Sequence, residues 1–223
     1  MGSGVGGAGQ PRGQVHHVAE RLREMLIDGY LRPGQRLPED ELAMEFGVSR
    51  PTLREGFRTL LNEGSLVHVL NRGVFVEQPG LSDLDDLYGV RKIIEPTVIA
   101  GLESGLDLKA VSAAVADGED AVERGDWLDL VAANISFHEA VVELSGSHRL
   151  KSMVRRVLVE TRLIFHAVPE PMVLHRRYAE KNRDICSLIS VGEMNAGASA
   201  MSAYLEESRI DLREEFVRAG GWR

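Results

Sequence analysis

Gly47-Val48-Ser49-Arg50-Pro51-Thr52-Leu53-Arg54-Glu55-Gly56-Phe57-Arg58 is the stretch on which the reading of this chain turns. Ser49 is a residue type whose hydroxyl caps helix N-termini, and Pro51 falls in the first turn, where a missing N–H has no partner to lose. A helix started there puts Leu53, Phe57, Leu60 and Leu61 on one stripe and Arg50, Arg54 and Arg58 on a neighbouring one, because positions four apart share a face. The apolar stripe can be held by a core while the guanidinium groups are presented. Such groups match phosphate oxygens and the O6/N7 edge of guanine in the major groove, both of which accept paired hydrogen bonds. Taken alone, the segment fits a DNA recognition helix and also an amphipathic helix with a solvated charged face.

The flanking sequence narrows the choice. Upstream, Gln14 to Gly29 carries Val15, Val18, Leu22, Met25 and Leu26 at helical spacing, and Pro33-Gly34 makes a turn. Pro38-Glu39-Asp40-Glu41 starts a second helix with acids in its first turn, where they suit the helix dipole, and Leu42, Ala43 and Phe46 form its inner side. Gly47-Val48 is then the short break of a helix-turn-helix. Downstream, Ser65 to Val69 and Val74 to Val76 are short β-branched runs around Asn71-Arg72-Gly73, a hairpin tip in which Gly can take a positive φ. A hairpin in that place is a wing, and Arg72 at its tip is a candidate for a minor groove or a phosphate.

Gln78-Pro79-Gly80 reads as a linker, and beyond it no strand pattern occurs. Helices are expected over residues 83–104, 108–124, 127–145, 148–167, 172–191 and 193–218, broken by Gly125, Gly146 and the Pro169/Pro171 pair. On the first of these, Leu84, Leu87, Val90, Ile94 and Ile99 are expected inside. The expected fold is therefore mainly α: residues 1–12 a flexible tail, 13–77 a winged helix-turn-helix, 78–82 a linker, and 83–218 a helical bundle.

Composition sets the outer bounds. The 223 residues carry a net charge of −8, of which residues 11–80, with nine basic and ten acidic side chains, contribute only −1. A DNA-binding part without a broad basic surface must rely on a few placed contacts, best doubled by dimerisation. No apolar run is long enough to span a membrane, and the Gly-rich start lacks the basic and apolar blocks of a signal peptide. Cys186 is the single cysteine and has no disulfide partner in the chain, which fits a reducing, cytoplasmic setting and a buried, inert thiol. An enzyme reading would have to use His16-His17 or His138-Glu139. Neither comes with a nucleophile, a phosphate loop or a paired carboxylate at catalytic spacing.

With these elements placed, residues 14–77 resemble the winged helix-turn-helix of the GntR family of bacterial transcription regulators. The segments that carry the likeness are Leu31-Arg32-Pro33-Gly34-Gln35-Arg36-Leu37, Glu41-Leu42-Ala43, Gly47 to Glu55, and Asn71-Arg72-Gly73-Val74-Phe75-Val76. The helical remainder is similar to the FCD effector domain of the FadR-type subgroup, in Val90-Arg91-Lys92-Ile93-Ile94-Glu95-Pro96, Phe137-His138 and Ser145-Gly146-Ser147-His148-Arg149-Leu150. The resemblance implies DNA contacts from Ser49, Arg50, Thr52 and Arg54, with Gly73 at the wing tip and Arg36 on a phosphate. Arg50 and Arg54 are the expected base or phosphate readers, Ser49 and Thr52 the phosphate positioners. Asp40 stands where some members carry a DNA-contacting Arg, so that contact is not carried over.

Many FCD domains hold a divalent metal with an Asp-x-x-x-His pair and one His on each of two later helices, a set that suits zinc or nickel. At the matching positions this chain has Asn134, His138, Asn182 and Tyr204. Amides are poor ligands beside a carboxylate or imidazole, and a phenol with an ordinary pKa of about 10 keeps its proton. The expectation is a lost metal site and no cofactor. The alternatives are a shifted ligand set recruiting His148, His166 or His175, and a degenerate core that binds nothing. As a metal-free pocket, Asn134, His138, Asn182 and Tyr204 would hydrogen-bond a small organic effector, with Arg91 or Arg162 receiving its anionic group. The whole reading is a homodimeric repressor on a two-fold symmetric double-stranded DNA operator, whose operator affinity is controlled by a small organic, anionic effector that changes the spacing of the two recognition helices.

Overall fold

The computed structural model describes residues 10–166 and 171–221, with only the backbone described at 10–12 and 171–175. Most of the expected tail, and the break at Pro169, lie outside these residues. Two compact units emerge. One is built from the chain up to Leu26 and from Tyr30–Glu77, the other from Ile27–Gly29 and from Gln78 onward.

The first unit holds helices α1 (Gln10–Ile27), α2 (Glu39–Phe46) and α3 (Arg50–Asn62); α1 buries Val18, Leu22 and Leu26, with Val18 against Gly56 of α3, and lays Arg21 over the Phe46 ring of α2. Gly47 ends α2 with φ 65°, a left-handed conformation that only glycine adopts without strain, and so turns the chain straight into α3. Ser49 caps α3, its hydroxyl accepting from the Thr52 N–H at 3.3 Å. Leu53, Phe57 and Leu60 are buried as the spacing predicts, whereas Leu61 is only half-buried and Gly56 takes a place on the inner face. There a Cβ would stand 2.3 Å from Val18 Cγ1, so the absence of a side chain sets how closely α1 and α3 approach. Arg23 ties the same two helices from the edge, its Nε donating to Glu63 at 2.9 Å while Nη1 meets Glu20.

Strands β1 (Leu66–Val69) and β2 (Gly73–Val76) pair antiparallel with Val69 opposite Gly73. Asn71, at φ 59°, and Gly73, at φ 104°, make the reversal. The segment before α2 joins the hairpin as a third edge: Leu37 N–H donates to Val74 O at 2.9 Å and Val76 N–H to Gln35 O at 2.9 Å.

The second unit is all helix among the described residues. It comprises α4 (Leu81–Ala100), α5 (Lys109–Arg124), α6 (Trp127–Glu143), α7 (His148–Phe165), α8 (Pro171–Ser190) and α9 (Met194–Ala219). Asp126 caps α6 through the N–H groups of Leu128 and Asp129, and Ser147 caps α7. Helix α6 is buried nearly all round, from Leu130 to Val142, and packs against α4, α5, α7 and α8. A helix that is apolar on every side belongs in the middle of a bundle, and this places Asn134 and His138 at its centre. On α4 the buried stripe departs from the expected one. Val90 and Ile94 are only half-buried, while Tyr88, Arg91 and Glu95 are buried beside Leu84, Leu87 and Ile99. The reason is chemical: a salt bridge and its polar neighbours, rather than a continuous apolar row, fill the middle of that face. Cys186 is free and half-buried rather than buried, 3.8 Å from the Ser112 hydroxyl. No helix among the described residues is long and apolar enough to cross a membrane.

Candidate functional site

Two constellations stand out, one in each unit. The first is the exposed face of α3. Arg50 and Arg54 lie on it and reach back to the first turn of α2, Arg50 Nε to Asp40 at 2.6 Å and Arg54 Nε to Glu39 at 2.7 Å. Arg58, one turn further on, pairs with Glu55 on its own helix at 2.7 Å. The hydroxyls of Ser49 and Thr52 are 2.8 Å apart, and one hydrogen serves that bond. The other hydroxyl hydrogen stays available to an incoming acceptor such as phosphate. At the wing, Arg72 is exposed with its guanidinium over the Phe75 ring, 5.3 Å from the centroid. Arg36 is exposed too, its Nε lying 3.7 Å from where a Cβ on Gly73 would be. The hairpin therefore brings Arg36, Arg72 and Gly73 together, and the helix carries Ser49, Arg50, Thr52 and Arg54. The fold makes two basic presentations in one unit, the outer face of α3 and the tip of the hairpin.

The second constellation is buried at the centre of the helical unit. Glu95 accepts from Arg91 Nε at 2.7 Å and meets His138 Nδ1 at 2.6 Å, with both members of the salt bridge almost wholly inside. His138 Nε2 lies 3.0 Å from the Tyr204 hydroxyl, which is 2.9 Å from Asn134 Oδ1. Asn182 Nδ2 donates to that same oxygen at 2.8 Å. Tyr88, under the Arg91 guanidinium, closes the edge through Ser208 at 2.7 Å. Four of the residues expected at the effector site, Asn134, His138, Asn182 and Tyr204, are thus one hydrogen-bonded chain, and Arg91 joins it through Glu95.

Arg162 stands elsewhere. It is fully buried on α7, over the Trp127 ring, with Nε donating to the Ile27 carbonyl at 2.7 Å. No hydrogen bond or ring contact links it to the His138 cluster among the described residues. Burial lowers its pKa to about 10, only partly offset by Asp28. Glu95, by contrast, was not singled out from sequence. Its signal was present, because Arg91 and Glu95 are four apart on a face otherwise lined by Leu84, Leu87 and Ile99, the pattern of a salt bridge inside a core.

Electrostatics fixes the protonation of the cluster. Burial alone would raise the Glu95 carboxyl, but the charge of Arg91, then His138 and the hydrogen bonds they make, lower it to about 2. Burial opposes the Arg91 charge as well, and Glu95 outweighs it, so the guanidinium stays protonated. Burial lowers His138, Glu95 pulls it up and Arg91 pushes it down again, leaving it below its ordinary value. Burial raises Tyr204 well above its own. The centre therefore holds one salt bridge, a neutral imidazole and a protonated phenol.

That donor set does not fit a divalent metal. Both ring nitrogens of His138 are engaged by protein groups, the neighbouring carboxylate of Glu95 is held by Arg91 and His138, and the other neighbouring donors are two amides and a phenol that keeps its proton. His148 is exposed at the start of α7 and His166 stacks edge-on against Trp127, while the side chain of His175 lies outside the described residues. Nowhere among the described residues do three His, Cys, Asp or Glu side chains gather as ligands. Two polar atoms of the cluster, Arg91 Nη2 and Asn182 Oδ1, are buried without a hydrogen-bond partner. Beside Asn134 and Asn182 a cavity of about 10 Å³, lined by Ala114, Val115, Gly118, Leu130 and Ala179, has room for about one water.

A winged helix-turn-helix followed by a helical bundle with a polar centre defines a class, the DNA-binding transcription regulators with an appended helical domain. Comparison with known proteins makes the assignment specific. The profile of the bacterial regulatory proteins, gntR family, matches residues 14–76, and that of the FCD domain matches residues 86–207. A transcriptional regulator GntR from Rhodococcus sp. RHA1 has the same fold, with TM-score 0.84 and 32% identity over 95% of this chain and 100% of that one. The HTH-type transcriptional regulator YdhC of Bacillus subtilis is 26% identical over 204 residues, 85% of this chain and 91% of its own length. The HTH-type transcriptional repressor NagR of the same organism is 34% identical over 91 residues, 40% of this chain and 37% of its own. The chain belongs to the GntR family of bacterial transcription regulators and carries an FCD domain. It is a DNA-binding regulator, not an enzyme.

Proposed function

We propose that this protein is a homodimeric repressor of the FadR-type subgroup that reads a two-fold symmetric operator with Arg50 and Arg54. In the same proposal it leaves the operator when a small organic anion binds, without metal, at the centre of its helical domain. The observation that carries the effector half is the pair of buried atoms left over in an otherwise closed network. Arg91 Nη2 is a charged donor with no acceptor, and Asn182 Oδ1 is an acceptor with no donor. Leaving such groups unmatched is costly, and a ligand with an anionic oxygen and a hydroxyl or amide hydrogen would satisfy both. Because the adjoining cavity holds about one water, entry requires helices to part, and that is how occupancy would reach the rest of the molecule. Repression is supported by the likeness to a named repressor. A helical-domain dimer is supported by exposed Ile210 and Val217 on α9 and Ile93 on α4.

A second reading has its own support. The cluster residues mostly satisfy each other, as a purely structural polar core would. A thermal-shift screen with small carboxylates, sugar acids and acyl thioesters separates the two, because a ligand that binds only the folded state raises its melting temperature. The effector reading expects a hit whose shift disappears in Asn182→Ala. A screen without hits, or a hit indifferent to Asn182, favours the closed core. On the DNA side, Arg50→Ala and Arg54→Ala are each expected to abolish selection of any sequence from a randomised duplex pool. Undiminished selection would refute the assignment of both readers.

A further inference from the structure

The acidic first turn of α2 faces the two arginines proposed to read DNA. Glu39 and Asp40 each take the Nε of one of them, Glu39 that of Arg54 at 2.7 Å and Asp40 that of Arg50 at 2.6 Å. A guanidinium held by its Nε side keeps the Nη1–Nη2 end free, and that end is the fork that matches guanine O6 and N7. Among the described residues no protein group takes those terminal nitrogens of Arg50 or Arg54. The pairs are exposed, with side-chain exposures of 61% and 66% for Arg50 and Asp40. Exposed pairs change an equilibrium by about fivefold or less, so they cannot keep the arginines off DNA. What they can change is where the forks point and how strongly the surface attracts phosphate.

We infer that Glu39 and Asp40 are specificity-determining positioning residues, which orient Arg54 and Arg50 toward guanine and suppress sequence-independent binding. The inference rests on the assignment of Arg50 and Arg54 as base readers. Each carboxylate biases one torsion-rich side chain toward one pose, which favours paired hydrogen bonds to a base edge over a mobile contact with whichever phosphate is near. Each also cancels one positive charge next to the backbone, which lowers affinity for any sequence and flattens its dependence on salt. The near-neutral charge of residues 11–80 follows from such pairing, since the acids that balance the bases include those that hold them.

The test uses the full-length protein and two probes. One is in-vitro selection from a randomised 30-base-pair duplex pool; the other is titration of poly(dA-dT) duplex, which offers no guanine, across a salt series. Wild type is expected to select half-sites with fixed guanines and to bind poly(dA-dT) weakly. In Asp40→Ala and Glu39→Ala, preference at a fixed guanine should fall measurably but by no more than about fivefold, the most an exposed pair supplies, whereas loss of the arginine itself removes the whole paired contact. Affinity for poly(dA-dT) should rise, with a salt slope steeper by up to about one per carboxylate removed. Asp40→Asn and Glu39→Gln keep the shape and remove the charge, and should reproduce the steeper slope with a melting temperature lowered by no more than about 4 °C. Variants that keep wild-type selection and slope overturn the inference. So does a loss of preference confined to cytosine, which marks the carboxylates as direct readers, or a parallel loss of all DNA binding. If Arg50→Ala and Arg54→Ala also leave selection intact, the assignment of the readers fails with it; if they abolish selection while the carboxylate variants do nothing, only this inference falls.

Discussion

Replacing Glu95 by Gln removes one charge from the centre of the helical unit while keeping size and hydrogen-bonding shape. Glu95 is fully buried, and its two oxygens meet Arg91 and His138 at 2.7 and 2.6 Å. With Gln in its place, the Arg91 guanidinium stays buried over the Tyr88 ring with no counter-charge and with Nη2 already lacking a partner. Removing one member of a buried pair costs about 3–5 kcal/mol, because the remaining ion keeps its desolvation penalty and loses the attraction that offset it. For a chain of this size 1 kcal/mol moves the melting temperature by about 2–4 °C, so the expected fall is roughly 6–20 °C. Calorimetry and urea unfolding followed by far-UV circular dichroism measure it. If the two units unfold separately, only the helical transition should move. The double variant Arg91→Met/Glu95→Gln removes both charges, and is expected to recover most of the loss, since replacing a buried pair by apolar groups is often neutral. A Glu95→Gln protein within about 1 kcal/mol of wild type would refute the reasoning. A double variant that loses the sum of the two single changes would refute it too, because independent contributions mean the charges do not hold each other.

Three further outcomes follow from named contacts. Stability should decline in acid in two limbs: His138 lies below its ordinary value in the fold, so the unfolded chain alone takes up a proton as pH falls through about 6.5. The stability from Glu95, whose carboxyl is lowered from 4.5 to about 2, is present above the unfolded value and lost as pH falls toward 2; His138→Gln should remove the first limb and Glu95→Gln the second in a pH series of urea melts. Gly56→Ala puts a Cβ 2.3 Å from Val18 Cγ1 and should cost about 1–3 kcal/mol in the DNA-binding unit, partly regained with Val18→Ala, as read by the same melts. The triple variant Asn134→Asp/Asn182→His/Tyr204→His supplies a carboxylate and two imidazoles beside His138. It is expected to bind zinc in isothermal titration where wild type does not, and an inert triple variant would show that these four positions cannot converge as ligands.

The first unit was almost wholly legible in the sequence, because its signals are local. Ser49 as a cap, Gly47 as a stop and Asn71-Arg72-Gly73 as a tip each act within a few residues, and each does what its chemistry predicts. What local reading missed there is a matter of distance: Asp40 and Arg50 are ten apart in sequence, and only the turn between α2 and α3 makes them partners. In the helical unit, the elements were legible from periodicity, but the choice of inward face on α4 was not. A rule that sends apolar residues inside prefers Val90 and Ile94 to Arg91 and Glu95. The preference reverses only because His138, from α6, and Tyr204, from α9, arrive to complete the polar chain. The same reasoning explains Arg162, whose charge marks it for solvent by default. It is buried on the Ile27 carbonyl and over Trp127, neither of which is near it in sequence.

The proton count of the central cluster decides which of its contacts can be matched at once. Ionised Glu95 can only accept, so the 2.6 Å contact requires the hydrogen on His138 Nδ1, and the neutral ring must then accept at Nε2. The Tyr204 hydroxyl has a single hydrogen, and donating it to Asn134 Oδ1 at 2.9 Å, an oxygen that Asn182 also serves, leaves the 3.0 Å contact with Nε2 without one. Protonating His138 would let Nε2 donate to Tyr204 and Tyr204 donate to Asn134, matching every contact in the chain. Hydrogen-bond counting therefore favours the charged ring, while burial beside Arg91 disfavours it, and burial wins. An anionic ligand on Arg91 Nη2 would leave the burial cost in place and ease only the smaller repulsion from Arg91, because that positive charge would then be shared. A residue set that kept a metal in this place could not behave so, since a metal ligand on His138 would fix Nε2 as an acceptor and remove the choice.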